Sequence, residues 1–356
     1  MISIYIGSTT GYSGKSLVTL GLALRMKEDG LDVGLIKPFG RVPTVIGGVL
    51  TDGDAAFMKE ALGLPDPVED ICPVVHSHDL VAGALRGGGA ALKPRVMKAF
   101  KAMSKGRDVM LIGGARDLHD GAYIGIPGEK LVAAMDAWAV IVDPFGGEPN
   151  VDRLLAVKEL IGPRLVGAVI NKVPPDGMEF LKGMVGPFLK KKGIPLLGVL
   201  PTDKVIDSIT IGQLSESLGG RVICREDRLS EFVENFSIGA MDVESALKYF
   251  RRTPNKCVIT GAHRSDIQLA ALETSTKCLV LTGDLLPNDL IIAKATMAGV
   301  PIILVKADTL TTVERFEAVL GKVRIREDRK VARARELMAE RFDFDTFYKK
   351  AGIKRR

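Results

Sequence analysis

The sequence predicts an α/β protein in which a doubly wound, mostly parallel sheet is followed by a smaller α/β domain. Three observations lead there. From Met1 to about Ser208, short β-branched runs alternate with longer helical stretches, the pattern of parallel strands joined by crossover helices. Most of these runs are continuously apolar rather than alternating, which implies burial on both faces and therefore helices on both sides of the sheet. Beyond Ser208 the pattern changes to a compact series of strand and helix units. A chain of 356 residues has room for two such domains, each burying its own core.

The strands expected in the first domain are Ile2 to Ile6, Val33 to Ile36, Val109 to Ile112, Ala139 to Val142, Val166 to Ile170 and Leu196 to Leu200. After the turn at Pro201 to Lys204 come a helix from Ile211 to Ser217, the pair Gly219 and Gly220, and a strand from Arg221 to Cys224. Two stretches beginning at Cys257 and Cys278 read as weak internal repeats of strand, Thr-Gly turn, polar cap and helix. Ser265 and Asn288 are placed to cap those helices. Pro301 to Val305 supplies another strand, and the charge-dense segment after about Arg324 reads as a solvated helix. The expected division is 1–208, 209–325 and a helical tail, 326–356.

Composition narrows the function classes. Hydrophobic residues make up 46% of the chain and aromatics 5%, so aliphatic side chains fill the core and disorder is excluded over most of the length. The net charge of +6 suits phosphates as well as nucleic acid, and a nucleic-acid partner is not the expectation. There is no apolar run of roughly 18 residues and no basic flank leading into one, so no membrane contact is expected and cytoplasmic residence is. Cys72, Cys224, Cys257 and Cys278 form no CxxC pair, which argues against both disulfides and zinc. His76 and His78 lack nearby residues to complete a metal site, and they receive no role.

The string STTGYSGKS follows the first strand and precedes the apolar helix that begins at Leu17, the strand, loop and helix context of a phosphate cradle. Amides of Gly11 to Ser16 can surround phosphate oxygens where a helix N-terminus already favours negative charge. Thr10, Gly11, Tyr12, Ser13, Gly14, Lys15 and Ser16 are thus the candidate nucleotide contacts. Lys15 can reach the β and γ phosphates, and the Ser16 hydroxyl can complete a magnesium shell. Thr9 stands where a strict Walker pattern has glycine.

With that departure, the loop resembles dethiobiotin synthetases, and later segments extend the likeness. Lys37 in IKPFG matches a lysine that contacts phosphate and substrate in that family. Asp54 in TDGDAAFMK matches an acidic position that helps hold magnesium. Asn171 in VINKVPP resembles an asparagine at the adenine edge, and GIPLLGVLPTDK resembles the last strand and its loop. The resemblance implies ATP and magnesium, with Lys15 and Lys37 neutralising a phosphoryl transfer and Ser16 and Asp54 holding the metal. Taken singly, Lys37 also reads as a surface lysine, Asp54 as a helix N-cap and Asn171 as a strand-end turn. NKV lacks the carboxylate of a guanine-reading NKxD motif, which leaves the base open. Three positions depart from the family. Gly113 stands where a glutamate is common, with Asp117 or Asp120 as possible substitutes; Arg41 replaces a small hydroxyl residue; and Tyr12 replaces a position that is often acidic. The family's diamino acid substrate is accordingly not carried over.

The remainder resembles a DRTGG domain, through FSIGAM at Phe236 to Met241 and VITGAHRSDIQLAAL at Val258 to Leu272. His263, Arg264 and Asp266 are candidate contacts for an anion there, with Asp266 equally suited to capping the helix. In this order the two domains resemble the N-terminal portion of long phosphotransacetylases. No counterpart of that enzyme's catalytic domain is expected within these residues, so acetyl transfer by the chain alone is not expected. The resemblance implies a nucleotide-sensing regulatory protein, a homo-oligomer or dimer through the DRTGG domain, and a partner enzyme of acyl phosphate or acyl-CoA metabolism. The alternative is an ATP-dependent ligase that carboxylates or amidates a small carboxylic acid.

Overall fold

Six apolar runs of the first half become one six-stranded sheet: β1 (Ile2–Ser8), β2 (Val33–Ile36), β3 (Val109–Gly113), β4 (Trp138–Pro144), β5 (Leu165–Val173) and β6 (Leu196–Pro201). The computed structural model describes residues 1–87, 92–320, 325 and 327–356. The strand order is β6-β5-β4-β1-β3-β2, and every pairing is parallel. Consecutive residues of β1, β2, β3 and β4 are buried, so both faces of the sheet are covered. The chain runs from β1 to the β2 side of the sheet and later to the β4 side. The carboxyl end of β1 is therefore the topological switch point, where open α/β sheets place their ligands.

Two helices matter to that end of the sheet. Helix α1 (Lys15–Glu28) has Gly14 as its N-cap, has no acidic residue in its first turn and carries Arg25 and Lys27 in its last. Its N-terminal dipole is consequently left for an outside anion. Helix α2 (Gly53–Leu62) follows an antiparallel hairpin, Pro43–Ile46 with Val49–Asp52, and ends on the left-handed Gly63.

The chain folds as two units, Met1–Asp203 with Arg324–Arg356, and Lys204–Val323. In the second unit, β7 (Arg221–Cys224), β8 (Asn235–Ile238), β9 (Lys256–Gly261), β10 (Thr276–Thr282) and β11 (Ile302–Val305) are ordered β7-β11-β10-β9-β8. Only β7 runs antiparallel to its neighbour. Val258, Leu279, Leu281, Ile302 and Leu304 pack into one core, while Cys257, Ile259, Cys278, Val280, Ile303 and Val305 pack into another. That alternation means the sheet is covered on both sides.

The two expected caps in this unit divide. Asn288 accepts from the Leu290 amide at 2.9 Å and caps α4 (Asp289–Ala298). Ser265 instead is the first helical residue of α3 (Ser265–Leu272), and the preceding Arg264 makes no side-chain capping bond. The Arg264 guanidinium pairs with Asp266 at 3.0 Å, so these two charges serve each other at the helix start.

The charge-dense end of the chain forms α5 (Asp328–Arg341) and α6 (Phe344–Ala351). The expectation of a solvated helix is corrected here, because each helix has a buried face that attaches it to the first unit. Arg324 and Arg326, where the tail was expected to begin, lie outside the described residues. Ala334, Leu337 and Met338 of α5 are buried, and Met338 lies over Gly21 of α1, where an added Cβ would stand 2.3 Å from its Cγ. Glycine is needed at that crossing because the two helices approach too closely for a side chain. On α6, the Tyr348 hydroxyl donates to Asp29 at 2.7 Å, and Arg25 stacks 4.9 Å above the Phe344 ring. Arg333 donates from Nε to Asp203 at 2.7 Å. Removing the Met338 side chain with Met338→Ala is expected to cost the first unit about 2–4 kcal/mol, measured by urea unfolding.

Candidate phosphate-binding site

Most of the residues assigned a role by sequence in the first unit lie at or just beyond the carboxyl ends of the parallel strands, while Asp54 lies in the first turn of α2, after the hairpin. Lys37 follows β2, the loop Thr9–Gly14 follows β1, Gly113 ends β3 and Asn171 lies near the end of β5. Parallel pairing alone brings them together, although they are separated by up to 162 positions.

The loop turns through two left-handed residues, Tyr12 at φ 56° and Gly14 at φ 94°. A turn of this kind points successive amides toward one side and makes a concavity for anions. Tyr12 is exposed, while Ser13 is buried and its hydroxyl has no hydrogen-bond partner among the described residues. Beneath the loop, Asn171 donates from Nδ2 to the Ser13 carbonyl at 2.9 Å. An added Cβ at Gly14 would lie 1.9 Å from that same nitrogen. Asn171 is buried, and the bond seen for its amide is to the loop's main chain, which supports the loop.

Thr9 has a reason not to be glycine. Its hydroxyl donates to Asp143 at the end of β4, and Asn150 lies 3.4 Å from the same carboxylate. Burial holds the Asp143 carboxyl above its ordinary range, and the two donors partly offset that. Asp143 was not singled out by sequence; its signal was a lone carboxylate closing the apolar run WAVIVD.

Two lysines face different surroundings. Lys15 donates from Nζ to the Ser8 hydroxyl at 2.8 Å and to the Arg116 carbonyl at 2.9 Å, both neutral oxygens. Burial, and then the charge of Lys37, bring its pKa down to about 8, against an opposing pull from Asp117, Asp120 and Asp54. Lys37 instead donates to Asp52 at 2.6 Å and to Asp54 at 3.3 Å. Burial works against its charge, but the two carboxylates together outweigh it and hold its pKa above the ordinary lysine value. Asp52 is the N-cap of α2: its carboxylate accepts from the amides of Asp54 and Ala55 at 3.0 Å and from that of Val42 at 2.8 Å. Sequence reading missed Asp52 and offered the capping role to Asp54, which lies in the first turn of the helix.

The remaining candidates are placed as follows. Ser16 is half-buried in the first turn of α1, and Thr10 donates to the Gly11 carbonyl at 3.3 Å. At Gly113 an added Cβ would meet nothing nearer than the Ile36 carbonyl at 3.8 Å, so the position has space for a side chain that it lacks. Asp117 accepts from the amides of His119 and Asp120 at 2.9 Å and closes a turn. Asp120 is ion-paired with Arg116 at 3.3 Å and Arg41 at 3.5 Å. Among the described residues, no group of three or more His, Cys, Asp or Glu side chains is arranged to hold a metal. Gly14→Ala is expected to push Asn171 off the loop at a cost of about 1–3 kcal/mol, seen as lost amide-exchange protection across residues 9–16.

Comparison with known proteins covers both domains. The AAA domain family matches residues 3–210, and the DRTGG domain family matches residues 213–319. A phosphate acetyltransferase of Nitratidesulfovibrio vulgaris is 25% identical over 363 residues, covering 96% of this chain and 50% of the relative. An ATP-dependent dethiobiotin synthetase of Bacillus licheniformis is 30% identical over 210 residues, covering 55% of this chain and 83% of that protein. The cell division ATPase MinD of Pyrococcus furiosus superposes on 58% of this chain and 85% of its own, with a TM-score of 0.33 and 17% identity. The chain spans about half the length of the phosphate acetyltransferases it matches. No helix among the described residues is long and apolar enough to cross a membrane. The chain belongs to the AAA domain family, as a P-loop protein that also carries a DRTGG domain and is homologous to phosphate acetyltransferases and dethiobiotin synthetases.

Proposed function

We propose that the first unit binds ATP with magnesium and that the protein is a nucleotide-responsive regulator. In this reading its DRTGG domain mediates self-association or contact with an enzyme of acyl phosphate or acyl-CoA metabolism. One observation carries the nucleotide reading: Lys15 is held against neutral oxygens at a helix N-terminus with no acidic first turn, while the neighbouring Lys37 is matched by two carboxylates. A lysine whose charge is disfavoured by burial gains most from a polyanion. The orphaned Ser13 hydroxyl and the left-handed turn around it fit a phosphate group as well.

Magnesium, when bound with the nucleotide, would neutralise phosphate charge, and Ser16 and Asp54 are the residues that would hold it. Asp54 shares its carboxylate with Lys37, and Gly113 offers none, so protein ligands for the metal are few. That scarcity favours binding over turnover, because phosphoryl transfer depends on dense charge neutralisation. The match to phosphate acetyltransferases over 96% of the chain supports a role in acyl metabolism. A ligase reading rests on the match to dethiobiotin synthetases, but Arg41 stands at the position expected to be a small hydroxyl.

Equilibrium binding of labelled ATP is expected to weaken about 10- to 100-fold in Lys15→Ala, the loss of a charge-assisted hydrogen bond. Undiminished binding in that variant would discard the assignment. ADP release stimulated by a small carboxylic acid would transfer the function to the ligase reading. The pH dependence has a definite sign. Lys15 in the unliganded protein is charged below about pH 8 and neutral above it, and a bound polyanion favours the charged form. ATP affinity measured from pH 6.5 to 9.5 is expected to be flat at the acid end, then fall by up to about tenfold per pH unit above 8. The same series in Lys15→Ala should be level.

A further inference from the structure

Beside the phosphate loop lies an open cleft of about 450 Å³ that the nucleotide reading does not use. Its polar lining is Arg41, His76, Arg116, His119, Asp120 and Tyr123, and Val81 and Leu85 contribute an apolar wall. Three segments distant in sequence meet there. One follows β2, one begins where the His76 amide bonds to the Gly40 carbonyl at 2.9 Å, and one follows β3.

The charges in this cleft do not balance. Arg41 Nε lies 3.5 Å and Arg116 Nε 3.3 Å from the same oxygen of Asp120, so two guanidinium groups share one carboxylate. The Arg116 amide also donates to that oxygen, at 3.1 Å. A histidine cannot offset an arginine, and burial, then the charge of Arg41, hold the His76 pKa below the ordinary histidine value. Arg41 is fixed further by the Phe39 ring, 5.2 Å from its guanidinium carbon. Each arginine spends Nε on Asp120, which leaves the terminal amino groups, the fork that grips a carboxylate or phosphate, outside that contact. The Arg116 side chain is 57% exposed, and an ion pair that exposed contributes little to stability, so holding the fold is a poor reason for Arg116 to join the better buried Arg41–Asp120 pair.

We propose that this cleft binds a small oxyanion, a carboxylate or phosphate gripped by Arg41 and Arg116 with a short apolar group against Val81 and Leu85. Two guanidinium groups with a surplus positive charge select an anion and reject an amine. The proposal does not depend on nucleotide binding, since none of its side chains belongs to the phosphate loop.

The test is a titration of the full chain, 15N-labelled at arginine, followed by the Nε signals of Arg41 and Arg116. The probes are propionate, inorganic phosphate and, as the cationic control, propylamine. Every titration is repeated in Lys15→Ala, so that phosphate on the loop is not counted. Saturable shifts with propionate or phosphate are expected, whichever is tighter naming the head group, with none from propylamine. Arg41→Gln and Arg116→Gln should each weaken that binding by about tenfold, and the pair should abolish it. Retained ATP binding in the glutamine variants shows that they are folded; where ATP does not bind wild type, an unchanged thermal midpoint serves instead. Absence of shifts with both anions, equal shifts with propylamine, or unweakened binding in the folded double variant would overturn the proposal.

Discussion

The hydrogen bond from Asn171 to the Ser13 carbonyl is the contact on which the site is built. It reaches from the end of β5 beneath a loop that begins at the end of β1, and it is possible only because position 14 has no Cβ. The left-handed turn at Gly14 and the close approach of Asn171 thus require the same residue for two reasons, conformational and steric. With the loop held from below, α1 starts at Lys15 with its first amides uncapped by any side chain. On the far side of the loop, Thr9 is tied to the buried Asp143, so both flanks of the turn rest on neighbouring strands.

The electrostatics follow from the same geometry. The strand ends deliver Lys15 and Lys37 to one small region, where each disfavours the other's charge. The protein resolves the conflict unequally by placing Asp52 and Asp54 on Lys37. Asp52 is a committed group, since its oxygens also cap α2 and hold the Val42 amide. Lys15 is left with hydroxyl and carbonyl acceptors and a depressed pKa. An unfilled electrostatic demand at a helix N-terminus is the physical content of the nucleotide reading.

How much of this was legible in the sequence depended on distance along the chain. The six strands of the first sheet were readable because burial on both faces writes itself as continuous apolar runs, and the loop because its parts are contiguous. Asp52 and Asp143 were not, since the lysine and threonine they bond lie 15 and 134 positions away and nothing local marks a carboxylate as buried. His76 was weighed as a metal ligand and set aside, whereas its place beside Arg41 comes from one strand-like contact with Gly40. The tail misled for another reason. Its charges dominate the composition, yet a stripe as narrow as Ala334, Leu337 and Met338 is enough to seat α5 when Gly21 opens a groove for it.

The segment after β3 connects the two regions in which unbalanced positive charge accumulates. Its main chain belongs to the phosphate loop: the Arg116 carbonyl accepts from both Lys15 and Ser8, and the Leu118 amide donates to the Ser8 carbonyl at 3.1 Å. Its side chains belong to the cleft, where Arg116 shares Asp120 with Arg41. The segment is also clamped at both ends, for Gly114 and Gly128 each pack so tightly on the fully buried Tyr5 that an added Cβ would lie 2.7 and 2.2 Å from its hydroxyl. One stretch of backbone thus holds an acceptor of Lys15 and carries an arginine of the cleft. Any free energy passed this way between anion and nucleotide would be equal in both directions, as linkage requires. The replacement of a small hydroxyl residue by Arg41 then gains a physical meaning: it adds positive charge to a cleft that shares the backbone at Arg116 with the phosphate loop.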